Sequence, residues 1–117
     1  MTEEDYALDL IERLKLTLPM IATPSKVLIA NMRQREDNPI KLKPKQKLRI
    51  DSCLYMGLDG GIACAYRLKD QAVISSITHL KLDHKHPLYK EMRAYQLARI
   101  DWLAKNHYRN DGILWDG

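Results

Sequence analysis

The chain has 117 residues, of which 45% are hydrophobic and 29% are charged, and its formal net charge is +4. This length and composition are typical of one globular domain, which we expect to span residues 1–117. Every apolar run is shorter than the roughly 20 residues that a membrane span needs, and the acidic start is unlike a targeting signal, so we expect a cytoplasmic protein with no membrane partner.

The first predicted element is a helix that ends before Pro19. Thr2 and Asp5 have the spacing of an N-cap and its partner in a capping box. Pro19 cannot continue the helix because it has no N–H to donate. Five apolar residues recur at helical spacing and should form the buried face: Ala7, Leu10, Ile11, Leu14 and Leu18.

A second helix is predicted from Thr23, as its N-cap, to about Gln34. Pro24 would take the first helical position, where an N–H has no intrahelical partner in any case. The stretch Lys26–Ala30 is equally compatible with a short strand. Residues 35–44 are predicted to form a solvated connection, because they are polar and contain a helix-breaking Asn-Pro pair.

The most unusual segment is residues 41–49, where a basic residue occupies every second position. Extended backbone points alternate side chains to opposite sides, so an extended segment would project all these cations from one face. Pro44 favours this geometry because it biases Lys43 away from helical angles. The five basic residues are Lys41, Lys43, Lys45, Lys47 and Arg49.

The positive charge of the chain is concentrated around this segment. Residues 33–49 hold seven Lys and Arg residues, including Arg33 and Arg35, against two acidic ones, so their net charge is +5 and the rest of the chain sums to −1. The pattern predicts a surface for an anionic partner, either nucleic acid or an acidic protein. The alternative is a solvated sheet edge, whose Lys and Pro residues prevent aggregation.

Three strands are predicted next, over Leu48–Met56, Ile62–Leu68 and Ala72–Leu82. Residues 58–61 place an Asp-Gly pair between two apolar runs, which is a typical hairpin signal. The connections are too short for parallel crossovers, so the strands should form an antiparallel meander. A long helix over residues 87–106 should pack on this sheet. With the two N-terminal helices, this makes the fold class α+β.

The predicted hairpin carries two pairs of residues with functional potential. Tyr55 and Tyr66 could stack on nucleic-acid bases, or they could simply pair with each other across the strands. Cys53 and Cys64 lie in the same two strands. With so few cysteines, buried reduced thiols are expected rather than a disulfide bridge.

A polar cluster follows the last predicted strand: His79, Asp83, His84 and His86. Imidazole and carboxylate groups both bind Zn²⁺, but this segment passes from a strand into a helix, so its side chains need not converge. We predict no metal site and no cofactor. In place of a metal site, the cluster is interpreted as Asp83 near the start of the helix, where a carboxylate suits the helix dipole, with exposed histidines around it.

A small ribonuclease is the enzymatic alternative. The order of helices, basic segment and meander resembles that of toxin ribonucleases of the RelE type, although the strand expected before the helices is absent from the predicted elements. In a ribonuclease built from these side chains, a histidine would act as general base or acid and Arg or Lys would stabilise the phosphorane charge. No pattern in the sequence identifies a catalytic residue.

Arg99 falls within the apolar arc of the last predicted helix. A buried guanidinium must be paired, and Asp51 is one candidate partner. The favoured interpretation is that Arg99 covers core surface with its stem while its head reaches water.

The C-terminal segment, residues 107–117, ends in the apolar run Ile113-Leu114-Trp115. We expect it to dock on its own domain or on a partner, which would allow a homo-oligomer or a protein-directed adaptor or inhibitor. The leading hypothesis remains a small non-enzymatic binding module that presents residues 41–49 to nucleic acid or to an acidic protein.

Overall fold

The N-terminal helix forms as predicted. A computed structural model describes the backbone of residues 2–116 and the side chains of residues 2–105. Helix α1 spans Glu3–Lys15. The Thr2 hydroxyl accepts from the Asp5 amide at 3.1 Å and the Asp5 carboxylate accepts from the Thr2 amide at 3.3 Å, which confirms the capping box. Leu18 lies beyond the helix. The other four predicted core residues are within α1 and are buried: Ala7, Leu10, Ile11 and Leu14.

The next segment is a strand rather than the start of the second helix. Strand β1 spans Met20–Pro24, and helix α2 spans Lys26–Arg33 with Ser25 as its N-cap. The predicted helix start at Thr23 is therefore wrong, and so is the strand alternative for the first residues of α2. Strands pair with β1 along both of its edges, and this tertiary pairing overrides the local Thr-Pro signal.

Two of the three predicted strands are each broken in two. The first is interrupted at Asp51, and the last is interrupted by a 3-10 helix over Ile77–His79. A single helical turn, α3, forms the predicted hairpin connection over Gly57–Gly60. The remaining strands are β2 (Leu48–Ile50), β3 (Ser52–Tyr55), β4 (Ile62–Leu68), β5 (Gln71–Ser76) and β6 (Leu80–Leu82).

The strands form two antiparallel three-stranded sheets. Strands β3, β4 and β5 pair in chain order, which confirms the α+β class and, for these parts of the predicted strands, the antiparallel meander. The second sheet, in the order β2-β1-β6, was not predicted, because residues 20–22 belong to no predicted element and the Thr23-Pro24 pair is predicted to start a helix. In this sheet Ala22 of β1 lies opposite Leu48 on one side and Leu82 on the other.

The C-terminal helix, α4, spans Tyr89–Asp116 and contacts both sheets. The amide of Ile62 in β4 donates to the Tyr95 hydroxyl at 3.0 Å. The Gln96 side-chain amide donates to two backbone carbonyls, one in the 3-10 helix and one in β6, at 2.6 and 2.8 Å. Helix α4 is therefore held at the junction of the two sheets, and the prediction that it packs on the meander alone was too simple.

The side chains of the apolar tail lie outside the described residues, so its docking and its part in a homo-oligomer stay predictions. None of the helices among the described residues is both long enough and apolar enough to cross a membrane.

Candidate nucleic-acid interface

The basic segment does not adopt one continuous extended conformation. The Gln46 amide donates to the Lys43 carbonyl at 3.0 Å, which closes a turn around Pro44 and Lys45. Pro44 takes the second position of this turn, where its fixed φ is favourable. The expectation of a straight row of five cations is therefore wrong. Exposure alternates only at the two ends of the segment, where Leu42 and Leu48 are buried between exposed neighbours, whereas Pro44 in the turn is exposed like the lysines beside it.

The outward side of the β2-β1-β6 sheet gathers cations from two distant parts of the chain. Arg49 in β2 lies opposite Ile21 in β1, and Lys81 in β6 lies opposite Thr23 in β1. Arg49, Ile21 and Lys81 are all exposed. In each strand, the residues on either side of these positions are buried and face the core.

Two more cations lie beside this sheet. Lys45, Lys47 and Lys81 line one depression of about 270 Å³, together with Thr23 and Asp83. We call the set Lys45, Lys47, Arg49 and Lys81 the basic face. Lys81 was missed at the sequence level, because nothing local in β6 indicates that it lies beside β1. Its position between Leu80 and Leu82 only indicates that it points outward.

Within residues 2–105, the cations of the basic face are almost free of intramolecular ion pairs. Arg49 Nε lies 3.1 Å from Asp51 Oδ1, and both side chains are largely exposed, so this bond is weak. Among the described residues, no carboxylate lies within ion-pair distance of Lys45, Lys47 or Lys81. Their charge is therefore available to an anionic ligand.

The other predicted basic residues lie apart from this set. Arg33 and Lys41 line a second depression, of about 440 Å³. Arg35 is half-buried and its Nη1 donates to the Met32 sulfur at 3.9 Å. Lys43 is exposed at the start of the turn. The structure thus brings Arg33 and Lys41 together. Four predicted basic residues lie outside the basic face, because they neither belong to the β2-β1-β6 sheet nor line the depression beside it: Arg33, Arg35, Lys41 and Lys43.

The two tyrosines of the meander do not form a base-stacking platform. Tyr66 is 1% exposed, and its hydroxyl lies 2.8 Å from the Ser75 hydroxyl, so its ring cannot reach a nucleic-acid base. Tyr55 is half-buried, and burial raises the pKa of its hydroxyl. The cross-strand alternative is wrong as well, because Tyr55 lies opposite Ile62 and Tyr66 lies opposite Val73.

The histidines have separate structural surroundings. His84 stacks on Tyr89 with ring centroids 4.6 Å apart. His86 Nε2 lies 3.0 Å from the Thr17 hydroxyl, and its Nδ1 accepts from the Leu88 amide at 3.0 Å. Burial lowers the pKa of His86, although the Asp83 carboxylate opposes this shift. Within the described part of the chain, no three His, Cys, Asp or Glu side chains are grouped to hold a metal ion.

Arg99 is buried and paired, so the expectation that it reaches water is wrong. The side chain is 2% exposed, and its Nη1 donates to both carboxylate oxygens of Glu3 at 3.0 and 3.1 Å. The guanidinium carbon lies 4.8 Å from the centre of the Trp102 ring. The suggested partner Asp51 instead pairs with Arg49. Glu3 was overlooked because its contact with α4 depends on how the two helices pack.

Comparison of the chain with models of known protein families, with curated proteins and with solved structures finds no match.

Proposed function

We propose that this protein is a non-enzymatic binding module whose basic face binds the phosphate backbone of nucleic acid. The observation that carries the proposal is the convergence of Lys45 and Lys47 with Lys81 around one depression, where none of the three has a carboxylate partner among residues 2–105. Arg49 extends the same surface along β2. Exposed cations on and beside a sheet, unpaired among the described residues, can replace the counterions of a polyanion.

The composition of the basic face favours phosphate contacts over base reading. Three of its four members are lysines, which bind phosphate as point charges and lack the planar fork of arginine. The sheet residues between them, Ile21 and Thr23, are not aromatic and offer no surface for base stacking. We therefore expect binding that depends strongly on salt and weakly on sequence.

A charge-reversal experiment tests the proposal. Lys47→Glu combined with Lys81→Glu should weaken binding of labelled duplex DNA and single-stranded RNA by at least about tenfold at low salt. It should also reduce the slope of log affinity against log salt by about two, because two phosphate contacts are lost. Fluorescence anisotropy across a salt titration measures both quantities.

The matched control reverses two exposed lysines on helices, Lys26→Glu with Lys90→Glu, which changes the net charge equally. An equal loss in both double variants would mean that only net charge matters, and it would contradict a localised site. A protein that retains no nucleic acid at low salt would also contradict the proposal. Retention of poly-glutamate alone would then support the acidic-protein hypothesis.

The ribonuclease hypothesis stays a prediction and has less support from the site. Its general acid and base would have to come from histidines, but His84 and His86 contact different neighbours, Tyr89 and Thr17. The adaptor hypothesis depends on the tail, whose side chains are outside the described residues.

A further inference from the structure

Two cysteines face each other in the meander. Cys53 in β3 is the register partner of Cys64 in β4, and their sulfur atoms are 3.8 Å apart. Both are free thiols, and they are 7% and 0% exposed. Neither belongs to the basic face, so the proposed function does not account for this arrangement.

The backbone geometry at this pair suits a disulfide bridge. The Met56 amide donates to the Gly61 carbonyl at 2.7 Å, which marks a hydrogen-bonded pair at the end of the same ladder. Bonded and non-bonded pairs alternate along an antiparallel ladder, so the cysteine pair, three steps away, is a non-bonded one. Such pairs have Cα atoms about 4.5 Å apart, which is within the range that disulfides tolerate.

The sulfur atoms must therefore approach each other while the strands keep their register. The distance has to fall from 3.8 Å to the S–S bond length of about 2.05 Å, and rotation of the two side chains can supply this change. Sheet pairing on the other side of β4 holds Cys64 in place, because Cys64 also lies opposite Ser75 in β5.

The two thiols are chemically unequal. The hydrogen bond with Cys64 lowers the pKa of the Cys53 thiol, while the same bond and burial raise the pKa of Cys64. Cys53 is also the more exposed of the two and lies on an edge strand of its sheet. The thiolate is the reactive form, so Cys53, although buried, is the better suited of the two thiols to meet an external reagent.

We propose that Cys53 and Cys64 form a thiol–disulfide exchange site, whose co-substrate is a low-molecular-weight disulfide and whose product is an intramolecular Cys53–Cys64 bridge. The Cys53 thiolate attacks one sulfur of the small disulfide, which forms a mixed disulfide and releases one small thiol. The Cys64 sulfur then attacks the Cys53 sulfur and releases the second small thiol. Both cysteines are oxidised, the small disulfide is reduced, and the two cysteine protons end on the released thiols.

The test exposes the native, reduced chain to glutathione disulfide, then quenches with acid, alkylates the remaining thiols and measures the intact mass. The expected product has lost two hydrogen atoms, takes up no alkylating reagent and returns to the starting mass with dithiothreitol. Peptide mapping should show the fragments that contain Cys53 and Cys64 joined. Two unreacted thiols, or a stable glutathione adduct without a bridge, would overturn the proposal.

Two variants test the assigned roles. Cys64→Ser should stop at a glutathione adduct on Cys53, because no second thiol can displace it. Cys53→Ser should leave Cys64 unmodified, because Cys64 is fully buried. The reverse pattern would contradict the order of attack. The result with the unsubstituted chain stands even if a variant folds poorly, and it is independent of nucleic-acid binding.

Discussion

Two arginine–carboxylate pairs in this molecule have nearly the same length and very different surroundings. Arg49 Nε lies 3.1 Å from Asp51 Oδ1, and these side chains are 69% and 48% exposed. Arg99 Nη1 lies 3.0 Å from Glu3 Oε2, and these side chains are 2% and 27% exposed. The distance between the charges therefore does not show which pair is more important for stability. The main difference between the pairs is how far the arginine is removed from water.

This difference determines what each arginine can do. In water, an exposed pair contributes roughly 0–1 kcal/mol and exchanges readily with other ions, so Arg49 can leave Asp51 for a phosphate. A buried guanidinium has lost its hydration, and removing one member of a buried pair costs roughly 3–5 kcal/mol. Arg99 is therefore fixed in the scaffold between α1 and α4, whereas Arg49 is available for binding.

The largest expected effect comes from breaking the buried pair. Arg99→Met should lower the free energy of unfolding by about 3 kcal/mol, because it leaves the Glu3 carboxylate in a partly buried site without its cation. Urea unfolding followed by circular dichroism measures the change. Adding Glu3→Gln should recover much of the loss, since the orphaned charge is then removed. A near-neutral Arg99→Met would mean that the guanidinium is solvated.

A glycine beside the same pair should give the next largest effect. Gly61 has φ +63° and ψ −150°, a region that is essentially restricted to glycine, and an added Cβ would lie 2.7 Å from the Tyr95 hydroxyl oxygen and 2.9 Å from Arg99 Nε. Gly61→Ala should therefore destabilise the protein by about 2 kcal/mol, from backbone strain together with displacement of both side chains.

Gly57 provides the matched control for this substitution. It also has a positive φ, +83°, but an added Cβ would meet nothing within 4 Å. Gly57→Ala should thus cost only the backbone term, about 1 kcal/mol. Equal melting temperatures for the two alanine variants would show that the close packing at Gly61 does not matter.

The parts of the fold that could be predicted depend on neighbours in the sequence. The capping box of α1 needs only Thr2 and Asp5, and the hairpin signal needs only residues 58–61. Strand β1 was missed because its stability comes from β2 and β6, which lie far along the chain. A five-residue segment cannot reveal partners that distant, and its Thr-Pro dipeptide gave a local signal for a helix.

The candidate site, like the fold, could be predicted from the sequence only in part. The alternation of charge at residues 41–49 is visible in the sequence, and these cations are exposed in the structure. The sequence could not show that a turn at Pro44 interrupts the row, that Lys81 joins it, or that Tyr66 faces the core. Each of these depends on which strands are neighbours and which side of a sheet is covered.

The smallest expected effect on stability comes from the exposed pair. Substitutions in this pair give the sharpest contrast with the buried pair. Arg49→Met and Asp51→Asn should each change the free energy of unfolding by less than about 0.5 kcal/mol, because both charges are already in water.

Binding should separate the two variants. Arg49→Met should weaken nucleic-acid affinity and reduce the salt slope by about one, whereas Asp51→Asn should preserve or increase affinity by releasing Arg49. Thermal melts and anisotropy on both proteins measure these effects. A loss of stability comparable with that of Arg99→Met would show that Arg49 is part of the scaffold, and unchanged binding in both variants would remove Arg49 from the basic face.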